Sequence, residues 1–223
     1  MHSNRIEKYK QKLKLTKRQR QIVVGAVLGD GHLETQDAGR TYRLKIEHSV
    51  GQRAYVDWLY DQLKPLVGTL PKARVRTRTF PSGYVSTGVS YGFATYSLGA
   101  LRFYAQQFYR GGEKIVPRLI GKLLTPTSIA IWYLDDGSVK SNRHRTFVIH
   151  TYGYARRDLQ RLQSALEQFG IRTTLHTQVR LSGRYLRLYV VSESAATFRA
   201  LVEPIIRAIP QMHYKLGNKL PKR

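Results

Sequence analysis

Two apolar runs in the sequence each end in an acidic residue followed by glycine, and the residues after them follow the same order. The first run is IVVGAVLGDG, which ends at Asp30 and Gly31, and the second is SIAIWYLDDG, which ends at Asp136 and Gly137. Asp-Gly after a single apolar run is usually only a turn. Because both copies begin the same downstream pattern, we interpret the chain as two copies of one folding unit.

Each apolar run also has a helix-start signal. Thr16 and Gln19 form the Thr-x-x-Gln pattern of a capping box. Thr125 followed by Pro126 is typical of an N-cap with proline at the first helical position. Glycine after each acid is the expected C-terminal stop. The sequence therefore predicts two helices whose acids lie at the C-terminal end, where the helix dipole disfavours negative charge.

After each of these motif helices come a strand, an amphipathic helix, a β-hairpin and a further helix. Residues 41–48 are the first strand, 73–80 and 88–97 form one hairpin, and 171–181 and 184–192 form the other. Apolar residues alternate in them with basic or polar ones, the pattern of half-buried strands. We expect an α+β fold of two units, each with an antiparallel sheet that has one apolar and one basic-polar face.

The repeat also suggests where the chain divides, near residues 121–125. We predict an N-terminal repeat at 1–122 with its motif helix at about 16–31. The C-terminal repeat is predicted at 123–223 with its motif helix at about 126–137. Two copies in one chain can dock as a pseudo-two-fold pair, so we expect a monomer that acts as a pseudo-dimer.

Charge points to nucleic acid as the partner. The 223 residues include 38 Lys and Arg against 14 Asp and Glu, a formal net charge of +24. Such an excess opposes a compact fold through self-repulsion unless a polyanion neutralises it. No apolar run reaches the ~18 residues of a membrane-spanning helix, so we expect no membrane partner.

Two further absences narrow the chemistry and the location. The chain has no cysteine, which excludes disulfides and thiolate metal sites. Its N-terminus is polar and basic without the apolar core of a secretory signal. We expect an intracellular protein of the cytoplasm, nucleoid or organelle matrix.

The two motif acids suggest a metal site. Gly25 and Gly29 would let the motif helices approach closely, which places Asp30 beside Asp136. Two neighbouring carboxylates repel each other, and a hard divalent cation such as Mg²⁺ removes that penalty. Paired acids that hold Mg²⁺ next to a basic sheet predict hydrolysis of phosphodiester bonds.

Further candidates lie near the motifs. Lys114 in GGEKIVP and Lys215 in MHYKL occur late in each half, where a lysine could position water or stabilise charge on the phosphate. A solvated or phosphate-contacting lysine is the alternative, and Lys219 fits the repeat as well as Lys215. Gly29 and Asp135 occupy corresponding positions, and we count both as candidate metal ligands.

These motifs resemble those of the LAGLIDADG homing endonucleases, specifically the single-chain members with two motifs. VVGAVLGDG at 23–31 matches loosely, since Leu28 and Gly29 stand where the family name has Asp-Ala. IAIWYLDDG at 129–137 matches well, and KIVP and IPQMHYKL add to the resemblance. It implies αββαββα-type repeats packed through two motif helices, with saddle-shaped sheets that grip duplex DNA in the major groove.

The resemblance also implies roles. It makes Asp30 and Asp136 the metal-binding acids, with Mg²⁺ as cofactor and Mn²⁺ or Ca²⁺ able to substitute for binding. It identifies the active-site lysine that occurs late in each half as Lys114 in the first half and, through YKL, as Lys215 in preference to Lys219 in the second.

Independently of the resemblance, antiparallel ribbons fit the major groove, and Arg, Gln and Thr on one face can contact base edges. Some of these side chains should contact phosphates and position the protein without reading sequence. The predicted DNA-binding face comprises Arg43, Lys45, Arg74, Arg76, Arg78, Arg172, Thr174, His176, Gln178, Arg180, Tyr185 and Arg187.

The sequence therefore predicts a site-specific double-strand DNA endonuclease of the intron-homing type. Because the two halves differ, its target should be long and only partly palindromic. The alternatives are an RNA maturase on the same fold and a non-catalytic nucleic-acid-binding protein such as a transcription regulator. Retention of both motif acids and both lysines argues against the regulator.

Overall fold

A computed structural model describes residues 4–80, 82–140, 146–180 and 183–217. An N-terminal helix, α1 (Asn4–Lys12), precedes the motif helix of the first half. The elements of that half are α2 (Lys17–Leu28), β1 (His32–Glu34), β2 (Arg43–Ser49), α3 (Arg53–Leu63), β3 (Lys72–Thr79), β4 (Val85–Ala94) and α4 (Arg102–Phe108).

The second half repeats this order after a short connection. The connection consists of β5 (Tyr109–Arg110), β6 (Glu113–Lys114) and α5 (Ile120–Leu123). The second half consists of α6 (Pro126–Asp136), β7 (Gly137–Val139), β8 (Phe147–His150), α7 (Arg156–Glu167), β9 (Thr173–Arg180), β10 (Gly183–Val190) and α8 (Ala195–Arg207), followed by a 3₁₀ segment, Pro210–Leu216. The predicted α+β fold of two αββαββα units is confirmed.

The two four-stranded sheets have the same topology. Their strand orders are β1-β2-β4-β3 and β7-β8-β10-β9, and all neighbouring strands are antiparallel. On β2, Leu44 and Ile46 are buried as the alternation predicts, and so is His48. All of β3 is exposed, so the β3–β4 hairpin projects from the body of its half. The described helices include none that is long and apolar enough to cross a membrane.

The motif helices α2 and α6 pack against each other at the centre of the molecule. A Cβ added at Gly25 would lie 2.6 Å from both the Ser128 carbonyl oxygen and the Ile131 Cβ, so only glycine allows this approach. Buried residues continue through α6, including the fully buried Trp132 and Tyr133. An almost entirely buried helix is expected where it lies between two halves.

Both motif helices begin with the predicted caps. Thr16 Oγ1 accepts a hydrogen bond from the Gln19 N–H at 3.2 Å, and Gln19 Oε1 accepts one from the Thr16 N–H at 3.0 Å. Thr125 Oγ1 accepts from the Ser128 N–H at 3.2 Å, and Ser128 Oγ accepts from the Thr125 N–H at 2.8 Å. Each reciprocal pair satisfies backbone donors that the first turn leaves free.

The C-terminal ends of the motif helices differ from the prediction in one copy. In α6 the helix runs through Asp136 and Gly137 is the C-cap, as expected. In α2 the helix ends at Leu28, and the C-cap is Gly29 instead of Gly31. The reason is local: at Gly29 the backbone (φ −95°, ψ −131°) leaves the helical region, and the Gly31 N–H then bonds to the Ala26 carbonyl at 2.7 Å.

The other differences are short elements without a strong periodic pattern. Helix α1 and the short strands β1 and β7 do not show in the alternation, although the family resemblance implies the two strands. The last helix of the first half, α4, ends at Phe108, because Tyr109 and Arg110 pair with Lys114 and Glu113 in a small ribbon. That ribbon positions Lys114.

Candidate active site

The motif acids of the two halves lie in one cleft. Asp30 follows the end of α2, Asp136 ends α6, and both line an open cleft of about 500 Å³. Lys114 lines the same cleft, and so do His150 and Tyr154 from the second half. The packing of the motif helices therefore brings together two predicted acids and one predicted lysine that are far apart in sequence.

The two lysines hold the backbone next to the acids. Lys114 Nζ donates to the Gly29 carbonyl at 2.6 Å, and Lys215 Nζ donates to the Gly137 carbonyl at 2.5 Å. Burial lowers the pKa of both ammonium groups, and the neighbouring acids oppose that shift. Lys219 lies outside the described residues. One largely buried lysine thus lies beside the end of each motif helix.

The three acids have different surroundings. The Asp135 side chain is 1% exposed; its Oδ2 accepts from the Asp30 N–H at 3.0 Å and its Oδ1 from the Tyr55 hydroxyl at 2.7 Å. The Asp30 side chain is 52% exposed. The largely buried Asp136 carboxylate receives no hydrogen bond from the described part of the chain. Asp135 is therefore fixed below the cleft, while the other two carboxylates are available to a ligand.

Electrostatics makes this cluster a site that favours a cation. Burial raises the pKa of Asp135 to about 8, with the charge of Asp30 adding to the shift. Burial, followed by the charges of Asp135 and Asp30, also raises the pKa of Asp136 to about 8, against the opposing effect of Lys114 and Lys215. Crowded carboxylates with oxygen ligands suit a hard divalent cation, so the residues present fit Mg²⁺.

His48 is part of the site and was not predicted. Its ring lies between two acids, with Nδ1 3.5 Å from Asp30 Oδ2 and Nε2 3.6 Å from Asp135 Oδ1. Ligand-type atoms of these three residues lie within 4.8 Å of one another. A different ring nitrogen faces each acid, so the imidazole lies between the two carboxylates. The three side chains therefore do not surround a single metal position. The signal in the sequence was its place after Leu44 and Ile46 on the apolar side of β2.

A tyrosine from each half bonds to the end of the other half's motif helix. Tyr55 on α3 of the first half donates to Asp135 at the end of α6. Tyr154 of the second half donates to the Leu28 carbonyl at the end of α2, at 3.0 Å. These two hydrogen bonds cross between the halves immediately below the cleft, so each half fixes the position of the other's acid.

The predicted DNA-binding residues of the first sheet lie on its outer face. Arg76 forms two 2.8 Å hydrogen bonds to Glu47, Lys45 lies 3.2 Å from the same carboxylate, and Arg43 lies 2.6 Å from Glu34. Burial alone would raise the pKa of Glu47, but hydrogen bonds from Ser90, Arg76 and Lys45 lower it to about 2. Glu34 and Glu47 therefore orient the side chains of this basic face.

The outer face of the second sheet is aromatic. The His176 and Tyr189 rings lie 4.2 Å apart, Tyr152 donates to Gln178 at 2.8 Å, and the Tyr152 and Tyr185 rings lie 5.1 Å apart.

The remaining predicted residues of this half are distributed along the same sheet. Arg187 stacks over the Tyr189 ring at 5.4 Å, and its buried Nε makes no hydrogen bond within the described chain. Thr174 Oγ1 lies 3.0 Å from His176 Nε2, and Arg172 lies 4.0 Å from Glu193. The side chain of Arg180 lies outside the described part of the structure.

Comparison with known proteins agrees with the fold and the motifs. A family model described as the LAGLIDADG DNA endonuclease family matches residues 20–198. The chain therefore belongs to the LAGLIDADG DNA endonuclease family. It is 31% identical over 220 residues to DNA endonuclease I-ChuI of Chlamydomonas applanata, and the alignment covers 93% of this chain and 99% of that protein.

Two further relatives extend this comparison. The chain is 29% identical over 209 residues to the cytochrome b mRNA maturase bI2 of Saccharomyces cerevisiae, spanning 89% of this chain and only 47% of the maturase. The solved structure of homing endonuclease I-WcaI bound to its DNA recognition sequence superposes with a TM-score of 0.83 at 22% identity, covering 98% of this chain and 95% of that one. The resemblance that the sequence suggested is confirmed.

Proposed function

We propose that the protein is a homing endonuclease, a site-specific enzyme that hydrolyses phosphodiester bonds in both strands of DNA. The observation that supports this most directly is the convergence of Asp30 and Asp136 from separate halves in one cleft, beside Lys114. Relatives named as endonucleases match nearly the whole chain. The enzyme would act where cellular DNA is found, in the cytoplasm, nucleoid or organelle matrix.

Asp30 and Asp136 would hold the metal through their accessible carboxylate oxygens. The Gly29 carbonyl already accepts from Lys114, and its second lone pair remains for a cation. Asp135 remains a candidate ligand, although its carboxylate is engaged by Tyr55 and the Asp30 N–H. Mg²⁺ at this position would supply Lewis acidity and a bound water of lowered pKa, and Mn²⁺ or Ca²⁺ would substitute for binding.

The protein's own groups would complete the catalytic environment. Lys114 and Lys215 are anchored on the carbonyls beside the acids, so their positive charges are fixed before substrate arrives. Fixed charges of this kind stabilise the additional negative charge that develops on the phosphate during hydrolysis. Burial keeps bulk water away from the lysines, which strengthens their interaction with the phosphate.

The two outer sheet faces would bind the duplex. Arginines of β3 and polar residues of β9 and β10 would enter the major groove, where hydrogen-bonding groups distinguish all four base pairs. Since the two faces differ in chemistry, each should read a different half of the target. The target is then long and only partly palindromic.

Substitution of the motif acids tests the proposal. In Asp30→Asn and Asp136→Asn, divalent-metal-dependent cleavage of the target should be abolished, while DNA binding remains within about threefold, because the change removes charge but keeps shape. The target to use is the uninterrupted junction of a host gene in which the reading frame is inserted. Asp61→Asn, at an exposed position of α3, is the matched control and should cut normally. A double Asn variant that still cleaves would falsify the assignment.

An RNA maturase is the second candidate function, because a protein named as a maturase aligns with 89% of this chain. A splicing assay separates the two. A maturase should promote splicing of its host intron even as the Asp30→Asn and Asp136→Asn double variant, since structural support of RNA needs no hydrolysis. Metal-dependent DNA cleavage without any effect on splicing would exclude the maturase function and support the endonuclease function.

A further inference from the structure

A second basic cleft lies at the end of the motif helices that is remote from the acids. It has a volume of about 870 Å³ and runs beside the N-terminal half of α2, between the segment that precedes this helix, α4 and α5. Helix α2 has 12 residues, which at 1.5 Å per residue separates its two ends by about 18 Å. This cleft is therefore distinct from the candidate active site.

The charged residues that line this remote cleft are all basic. They are Lys14, Lys17, Arg20 and Lys122, and none of the described residues lining the cleft is acidic. The three lysines are exposed and form no ion pair within the described ranges. In so basic a chain, single unpaired lysines are ordinary. Four cations around one concave surface are different, because they repel one another until a polyanion occupies it.

The floor of the cleft is apolar and includes an exposed aromatic ring. Phe103 is 46% exposed and lies edge-to-face against Tyr104, with ring centroids 5.3 Å apart. Aromatic rings next to a basic groove are the combination on which unpaired bases stack while lysines follow the backbone. A duplex hides its base faces, so this cleft suits a single strand.

A smaller basic cleft continues past α5. It holds about 430 Å³ and is lined by Arg118, Arg157 and Arg161 together with Ile120 and Gly121. Lys122 and Leu123 of the same short helix line the larger cleft. A strand leaving the first cleft over α5 would thus meet three further arginines, of which Arg161 and Arg157 also lie 2.7 and 4.0 Å from Asp158.

We propose that the remote cleft is a binding site for single-stranded RNA. RNA is the occupant that the chemistry favours, because unpaired loops and bulges with accessible base faces are common in RNA and rare in cellular DNA. The site uses neither the motif acids nor the outer sheet faces, so it is separate from DNA cleavage. Both nucleic acids could be bound at the same time.

Fluorescence anisotropy with three labelled probes tests this site: a short unstructured RNA, the DNA strand of the same sequence, and the DNA duplex. In Lys14→Gln/Lys17→Gln/Lys122→Gln, RNA affinity should fall at least about tenfold and the salt slope should decrease by about two, since three phosphate contacts are lost at about 0.7 each. Phe103→Ala should weaken RNA binding by about tenfold through lost stacking, without altering the slope. Duplex binding should not change in either variant.

Two controls make the outcome decisive. Arg5→Gln/Lys8→Gln/Lys64→Gln removes the same charge from exposed positions outside the cleft and should retain RNA binding. An Arg76→Gln variant should lose duplex affinity and keep RNA affinity. Equal loss of RNA binding in the two triple variants would show a diffuse charge effect and overturn the site. DNA single strands bound as tightly as RNA would overturn the assignment to RNA.

Discussion

The two halves of the molecule share a backbone plan but place different side chains at equivalent points. His32 and Ser138, each two residues after a motif acid, pair with Lys45 and Val148 respectively. Three residues further along the chain are His48, still on β2, and Thr151, which follows the last residue of β8. His48 lies between two acids, whereas Thr151 donates to the Leu186 carbonyl at 2.8 Å and reaches no acid.

The outer faces differ in the same way. Glu47 gathers Arg76 and Lys45 in the first sheet, and its equivalent, His150, lies against Tyr152 with rings nearly parallel. One half therefore presents charges held by ion pairs, and the other presents stacked rings. Packing between the halves thus maintains the topology and the motif helices, while residues on the outer faces differ between the halves.

The largest effect should come from adding a side chain at Gly29, where the first motif helix differs from the second. Gly29 corresponds to Asp135, and a Cβ at Gly29 would overlap the Asp135 side chain. Gly29→Ala should therefore lower the free energy of unfolding by about 3 kcal/mol, measured by urea denaturation. Gly99→Ala, where a Cβ meets nothing within 4 Å, should change it little.

The matching test uses the facing residue. Combining Gly29→Ala with Asp135→Gly should destabilise the protein by less than the sum of the single changes, because the overlap is relieved. Strict additivity in the double variant would mean that Gly29 is required for its backbone conformation and not for space.

The next effect concerns His48, which we expect to position Asp30. His48→Ala should lower the cleavage rate and the affinity for Mg²⁺, measured by calorimetry, by about 10- to 100-fold, the usual cost of losing a group that orients a metal ligand. Duplex binding without metal should stay constant, and His48→Gln should recover part of the loss. Thr151→Val, its counterpart, should leave Mg²⁺ affinity unchanged. A normal Mg²⁺ affinity in His48→Ala would contradict the positioning role.

A smaller effect, the salt dependence of duplex affinity, should distinguish the outer faces of the two sheets. Arg76→Gln should weaken duplex binding and reduce the slope of log affinity against log salt by about one, because the interface loses one cationic charge. Tyr189→Ala in the second sheet should weaken binding while the slope is maintained, because a ring contributes no counterion release. Anisotropy titrations at several salt concentrations measure both, and equal slopes in the two variants would remove the distinction between the faces.

The smallest effect should be the same in both halves. Thr16→Ala and Thr125→Ala each remove the side chain of a reciprocal cap, so each should cost about 1 kcal/mol of unfolding free energy. Thermal or urea unfolding of the two variants provides the measurement. A markedly larger loss for one of them would show that the motif helices do not contribute equally to stability.

The repeated plan of the fold could be predicted from the sequence because its signals are local. The capping residues lie three positions apart, and the alternation through Leu44 and Ile46 lies within one strand. Such patterns need no knowledge of the partner element. The three-residue strands β1 and β7 have too few residues to set a period, and α1 has no buried residue that would mark a core-facing side.

Much of the site depended on contacts between distant residues. Asp135 and Asp136 are neighbours of the same type, yet one is fixed by Tyr55 and the other accepts no hydrogen bond from the chain as described. His48 was visible as a polar residue on an apolar strand face, but its two partners come from the ends of two different helices. No local pattern encodes that placement, because it results from how the halves dock.

The tyrosine hydrogen bonds that cross between the halves also bear on engineering by recombination. A chimera that joins one half of this protein to a half from a relative would leave Tyr55 or Tyr154 facing a foreign helix end, and a buried hydroxyl or carboxylate would lose its partner. The hairpins β3–β4 and β9–β10 instead pack within their own halves, β4 on β2 and α3 and β9 on α7. Transplanting β3–β4 or β9–β10 onto an unchanged centre is therefore the more promising route to a hybrid with altered specificity. The unit of exchange is the β-hairpin instead of the whole half.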